Sequence, residues 1–155
     1  MEFSEILSLL ASQHSDLVQV EKLTEQILYA SAEDFPNLID QRGTFLEHAV
    51  LGENQLKQAS SGDGRLRGVL DGSAEPGTLS PELREIYEAS LRAKAALCRI
   101  RRLEPQVVTR MENERAEALS HLEELNASGN SAAAAYSHAL RTAVPSASFM
   151  GTRSV

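Results

Sequence analysis

The first hydrophobic pattern of the chain begins at Phe3 and repeats with alternating spacings of three and four residues. This spacing lines one face of an α-helix at the heptad period, and it is typical of a helix packed in a bundle. Six of the eight positions are apolar, so the pattern predicts a helix with a buried seam at Phe3, Ile6, Leu10, Gln13, Leu17, Val20, Thr24 and Ile27.

A second helical pattern extends from Phe35 to Leu56. Either Ser31 or Asp34 is suited to cap its start, and Pro36 is tolerated in a first helical turn. These residues predict a tight turn between two helices near residue 32. Two glycines interrupt the second pattern, and each costs about 1 kcal/mol relative to alanine inside a helix, so its second half is expected to fray.

A glycine-rich stretch covers residues 60–79 and also contains a proline, several serines and two aspartates. This composition predicts a long loop. The apolar side chains that would pin the loop to a bundle are Leu66, Val69 and Leu70.

A long helix is predicted after the loop, because Ser80, Pro81 and Glu82 form a helix-start signature. Its apolar stripe continues for about 47 residues to Asn126. Pro105 predicts a kink or a break near residues 101–104, since it removes a backbone hydrogen bond. Asn126, Gly129 and Asn130 predict a stop, followed by a short helix over 132–141 and a polar tail.

The predicted fold is therefore all-α: an antiparallel helical hairpin plus one long, Pro-kinked helix, forming a three- to four-helix bundle or coiled coil. The predicted organisation is a helical bundle over residues 1–126, with the loop at 60–79, and then a short helix and a flexible C-terminal tail over 127–155.

Charge narrows the range of partners. The net charge is −7, and residues 1–59 hold ten acidic and three basic residues. An acidic chain repels phosphate, which argues against nucleic acid as a partner. No apolar run approaches the roughly 20 residues that a membrane-spanning helix needs, so no membrane insertion is expected. The acidic N-terminus is unlike a secretory signal, and we expect a cytoplasmic protein.

The residues that could carry chemistry do not form a recognisable site. Cys98 is the single cysteine, and no histidine lies three or four positions from it or from another histidine. Catalytic glycine motifs are also missing, so we expect no enzyme, no cofactor and no metal. The long predicted helix carries a basic cluster of Arg92, Lys94, Arg99, Arg101 and Arg102. This cluster is interpreted either as a partner-binding patch or as a face that pairs with the acidic first two helices.

Three segments together resemble a known family. They are the hairpin segment "EDFPNLIDQRGTFLEHA", the long helix "LEPQVVTRMENERAEALSHLEELNASGNSAAAAYSHAL" and the tail "PSASFMGTRSV". This combination resembles the small helical chaperones of bacterial flagellar type III export, the FlgN and FliT class. The resemblance covers most of residues 1–150. The glycine-rich stretch and Pro105 depart from the family pattern.

The resemblance implies a cytosolic chaperone that binds the amphipathic C-terminal helix of a hook-associated or cap subunit and delivers it to the export gate. Such a helix would lie against apolar side chains of the long helix. The candidates are Val107, Val108, Met111, Leu122 and Leu125, while Tyr136 matches the tyrosine that the family uses at the gate. The alternative is that the same side chains form an intramolecular core or the seam of a homodimer, in a structural or regulatory coiled-coil protein that self-associates.

Overall fold

The computed structural model describes residues 1–143, and these residues contain helices and no strand. The predicted all-α fold is confirmed. The α-helices are α1 (Phe3–Tyr29), α2 (Phe35–Ser60), α3 (Gly64–Asp71) and α4 (Pro81–Ala143), and a short 3₁₀ helix occupies Pro76–Thr78. The predicted C-terminal tail, residues 144–155, lies outside the described residues.

The chain divides into two compact units, and α4 contributes to both. The first unit is Met1–Arg110, and the second begins at Met111. In the described residues, the second unit is the C-terminal part of α4. This boundary falls earlier than the predicted one between residues 126 and 127.

The first unit is built on an antiparallel hairpin of α1 and α2. Gln13 Nε2 donates to Glu53 Oε2 over 3.0 Å, and farther along α1 the Thr24 hydroxyl accepts from Arg42 Nε over 3.0 Å. The partner in α2 changes from Glu53 to the earlier residue Arg42 as the position in α1 moves from Gln13 to Thr24, so the two helices are antiparallel. Asp34 is the N-cap of α2, with Pro36 in the first turn, and the Asp34 amide donates to Ser31 Oγ over 3.3 Å. The predicted turn near residue 32 is confirmed.

The first part of α4 runs parallel to α1. Arg99 of α4 contacts Glu21, and the later Arg110 reaches the carbonyl oxygens at the end of α1. Three hydrophobic clusters follow one another along this pair of helices. They are centred on Ile6 and Ile86, on Val20 and Ala96, and on Ile27, Phe35 and Val107.

The stretch predicted as a loop over residues 60–79 contains α3, and this part of the prediction is wrong. Asp63 accepts hydrogen bonds from the amides of Arg65 and Leu66 over 3.0 and 3.1 Å, which starts the helix. Gly72 ends it with a φ of +81°, a conformation that favours glycine. Burial of Leu66 and Val69 in the first cluster stabilises a helix that glycine content alone disfavours.

The long helix predicted after the glycine-rich stretch is α4 in the structure, and it is longer and less interrupted than expected. It begins after Ser80, as predicted, and the Leu83 amide donates to Ser80 Oγ over 3.4 Å. It continues through Pro105 without a break. Pro105 and Arg101 are both exposed, so water can bind the Arg101 carbonyl that lacks its usual helical donor.

The predicted stop at Asn126, Gly129 and Asn130 is wrong as well. The helix passes through these residues to Ala143, so the expected separate helix over 132–141 is part of α4. The leucines and glutamates of residues 119–125 and the alanines of residues 132–135 have a high intrinsic helix propensity, which outweighs the cost of one glycine between them.

Candidate partner-binding surface

Most of the apolar side chains described in the second unit are exposed, which is unusual for a helix with an apolar stripe. No side chain from Met111 to Arg141 is buried in the part of the chain that the structure describes. Most helical stability in proteins comes from packing one apolar face against another element. This stretch of α4 has such a face but no described element covering it.

The exposed face follows the heptad period. Alternating steps of four and three residues from Met111 define a line of positions that we call the seam: Met111, Arg115, Ala118, Leu122, Leu125, Gly129, Ala132 and Tyr136. The larger apolar side chains on it are between 45 and 69 % exposed. An apolar stripe at this period, here interrupted at Arg115 and Gly129, is typical of a helix that binds another helix.

The structure separates the predicted partner-binding residues into two groups. Val107 is completely buried with Ile27 and Phe35, so its assignment to a partner surface is corrected: it belongs to the core of the first unit. Val108, its neighbour, is 45 % exposed at the end of that unit. The remaining predicted residues, Met111, Leu122, Leu125 and Tyr136, are all exposed on the seam.

Sequence reasoning missed one apolar residue of this surface. Leu119 is 51 % exposed and lies one position after Ala118 on the helix. Its spacing of three residues from Leu122 places both leucines on neighbouring turns of the same face. The seam is therefore wider here than a strict heptad line.

The charges near the seam are mainly negative. Residues 111–126 contain five acidic residues and a single basic one, Arg115. The net negative charge of this stretch favours a partner helix with basic residues beside its apolar face.

The basic cluster of α4 lies in the first unit, and part of it pairs with the acidic hairpin. Arg99 Nε donates to both carboxylate oxygens of Glu21, over 3.1 and 3.0 Å. Arg92, Arg101 and Arg102 are exposed. The interpretation that this face pairs with the first two helices is thus confirmed for Arg99.

The described residues hold no group of side chains arranged to bind a metal ion. His48 Nδ1 contacts Asp16 Oδ2 between α1 and α2. Cys98 is an exposed thiol. Neither arrangement brings a nucleophile to a base.

A cavity of about 660 Å³ lies within the first unit, between its first two hydrophobic clusters. Its wall combines apolar side chains with five charged ones. The charged residues are Glu53, Lys57, Arg67, Asp71 and Lys94.

Comparison with protein-family models, curated proteins and solved structures finds no match to this chain. Among residues 1–143, none of the helices has an apolar stretch sufficient to cross a lipid bilayer.

Proposed function

We propose that this protein is a non-enzymatic chaperone of flagellar export. It binds the amphipathic C-terminal helix of a secreted subunit of the hook-associated or cap class in the cytoplasm and delivers that subunit to the export gate. The likeness of the three sequence segments to this chaperone class suggests the role. The observation that carries the proposal is the exposed seam of the second unit.

The seam suits a helical client because both helices bury apolar side chains when they pack together, and this burial stabilises the complex. Leu122 and Leu125 are 55 and 54 % exposed, so covering what is left of each side chain contributes about half of the roughly 1.5–3 kcal/mol for full burial of a leucine. A client helix with apolar side chains at the same period packs against them by interdigitation. Met111 adds a flexible side chain that adapts to clients of different shape.

Charge gives the client a second distinguishing property. The net negative charge of residues 111–126 attracts a helix with lysine or arginine beside its apolar face. Because exposed charges are screened by salt, this contribution to binding weakens as ionic strength rises.

Self-association through the seam is the second candidate, and the heptad spacing favours it. A dimer of this helix would place Arg115 and Gly129 in its own interface. A buried arginine needs a partner charge, and a glycine leaves a gap between the helices. The apolar part between these two positions is short, which makes the self-paired seam weaker than a seam filled by a complementary client.

A binding experiment separates the two candidates. The full chain is mixed with purified hook-associated or cap subunits and analysed by size-exclusion chromatography with light scattering. We expect a monomer alone and a stoichiometric complex with one of the subunits. A tight homodimer that binds no subunit would support self-association and contradict the chaperone proposal.

Matched variants test whether the seam is the binding surface. Leu125→Glu places a charge on the seam, while Ala127→Glu places the same charge about 200° around the helix. We expect Leu125→Glu to weaken the complex at least tenfold, and Ala127→Glu to leave it within about twofold of the unmodified chain. Equal effects of both substitutions would exclude the seam.

Tyr136 is proposed to contact the export gate, on the basis of the resemblance, and it is 69 % exposed. Tyr136 lies at the end of the seam beyond Gly129, so Tyr136→Ala is expected to weaken the client complex less than Leu125→Glu does and to lower binding of that complex to the isolated gate. Loss of client binding in this variant would instead place Tyr136 in the client surface.

A further inference from the structure

The cavity of the first unit has a chemical character that the proposed chaperone role does not use. Its apolar wall comes from α1, α2, α4 and the helix α3, and comprises Leu10, Leu17, Leu56, Leu70, Ala93 and Leu97. Its volume of about 660 Å³ is within the range of sites that bind small molecules.

The cavity exists because small and polar residues stand where the core would otherwise close. Gln13 interrupts the apolar face of α1 between the first two clusters, and Gly52 of α2 lies opposite Gln13. Across the cavity, Ser90 directs its hydroxyl to the Leu70 carbonyl over 2.7 Å. These residues leave a gap lined by the sides of the two clusters.

One charged group at this cavity has no hydrogen bond. Lys94 Nζ is buried beside Gly72 and makes no hydrogen bond to any described residue. A buried ammonium group without such a bond is costly, because it has lost water without gaining an acceptor. Lys94 lines the cavity, so a change in the terminal torsion angles of its side chain would bring Nζ to a ligand bound there.

The other charges at the cavity are largely matched. Lys57 lies 3.9 Å from Glu53, and Arg67 Nη2 donates to the Ser61 carbonyl over 2.8 Å. Hydrogen bonds from the side chain and backbone of Ser73 hold the pKa of Asp71 below its usual value, and the positive charges of Lys94 and Arg67 lower it further. This carboxylate is therefore ionised at neutral pH, and it attracts Lys94 without accepting a hydrogen bond from it. Three cations and two carboxylates leave one positive charge in excess, within a chain whose net charge is −7.

We infer that this cavity binds a small molecule that combines an alkyl chain with a single carboxylate. The alkyl chain lies between the two clusters, and the carboxylate accepts hydrogen bonds from Lys94, which supplies the acceptor that this ammonium group lacks. A second negative charge on the ligand is disfavoured by Glu53 and Asp71. The site is separate from the seam, so it stands or fails independently of the chaperone role.

The probes are octanoate, octanol and octylammonium, titrated calorimetrically into the full chain at concentrations at which each is dissolved as single molecules. We expect octanoate to bind at least tenfold more tightly than octanol, because a hydrogen bond to a charged group is worth about that much. Octylammonium is expected to bind more weakly than octanol. Equal affinity for octanoate and octanol, or no binding of octanoate at millimolar concentration, would overturn the inference.

Variants of α4 locate the carboxylate. Lys94→Gln and Lys94→Met each remove the ammonium and are expected to lower octanoate affinity about tenfold, to the level of octanol. Arg92→Gln removes one positive charge from an exposed position of the same helix and serves as the control, with unchanged affinity expected. Circular dichroism confirms folding of each variant. Octanoate affinity that is unchanged in both Lys94 variants would contradict the assignment.

Discussion

Arg42 Nε of α2 donates a hydrogen bond to Thr24 Oγ1 of α1 over 3.0 Å, and both residues are buried. The Thr24 hydroxyl in turn donates to the Val20 carbonyl over 2.6 Å. The same guanidinium reaches Glu104 of α4 through Nη2. A single arginine therefore joins the three long helices of the first unit between its second and third hydrophobic clusters.

Replacing Arg42 is expected to lower the stability of the first unit. Arg42→Ala removes the charge, the hydrogen bonds and the buried aliphatic stem, and we expect a loss of about 2–4 kcal/mol in the free energy of unfolding. Arg42→Met keeps most of the volume and should recover at least half of that loss, because Glu104 is 44 % exposed and can turn to water. Urea unfolding measures both. Equal losses for Ala and Met would contradict this explanation.

Arg110 closes the C-terminal end of α1, which has no basic residue in its last turn. Its Nη2 donates to the Ala30 carbonyl over 2.6 Å, and its guanidinium lies 5.1 Å from the centre of the Phe35 ring. Arg110→Gln is expected to cost about 1–2 kcal/mol, because carbonyls at a helix end need donors. Arg102→Gln changes an exposed arginine of the same helix and should cost less than about 0.5 kcal/mol. A loss in Arg102→Gln as large as that in Arg110→Gln would argue against a capping role.

Gly72 is the one residue of the described chain with a clearly positive φ, at +81°. Gly72→Ala is expected to cost about 1–2 kcal/mol, because an L side chain is strained in this conformation. The control is Gly62→Ala, where an added Cβ has no neighbour within 4 Å; its stability should change by less than about 1 kcal/mol. Thermal unfolding compares the two, and a neutral Gly72→Ala would show that α3 can end in another way.

Gly129 lies inside the exposed part of α4, and an added Cβ there meets nothing within 4 Å. Gly129→Ala is expected to stabilise the helix by about 0.5–1 kcal/mol and to increase the helical signal in circular dichroism. An unchanged or lower signal would indicate that residues near Gly129 are not helical in solution, as the sequence pattern alone predicted.

The buried face of α1 could be predicted almost completely from spacing. Seven of its eight predicted positions are buried, including the polar Gln13 and Thr24, while Phe3 is 37 % exposed at the helix start. A helix that packs along its whole length must repeat its buried positions at the heptad period, so the period identifies them whatever their polarity.

The burial of Arg42 and the formation of α3 could not be predicted in the same way. An arginine is normally assigned to the surface, and its burial depends on Thr24 and Glu104, which lie on other helices. In α3, the local propensity of the glycines is overruled by tertiary burial of Leu66 and Val69. Both outcomes depend on partners distant in sequence.

The sequence identified most of the exposed apolar residues of the candidate surface, but it did not show where along α4 the buried core ends. Sequence spacing identified Met111, Leu122 and Leu125, and the family resemblance identified Tyr136; all four are exposed. Spacing also included Val107, which is buried. Apolar positions recur along α4 in both units, so the position at which the core ends is set by α1 and Phe35 and not by the apolar pattern of α4.

Amide hydrogen exchange over residues 111–143 tests the exposed seam most directly. In the chain alone, at concentrations where light scattering shows a monomer, these amides are expected to exchange much faster than those of α1, because exposed helices open readily. In the complex with a hook-associated or cap subunit, the amides of residues 118–125 are expected to exchange more slowly than in the chain alone. Strong protection of this stretch in the isolated monomer, or unchanged exchange in the complex, would contradict the account.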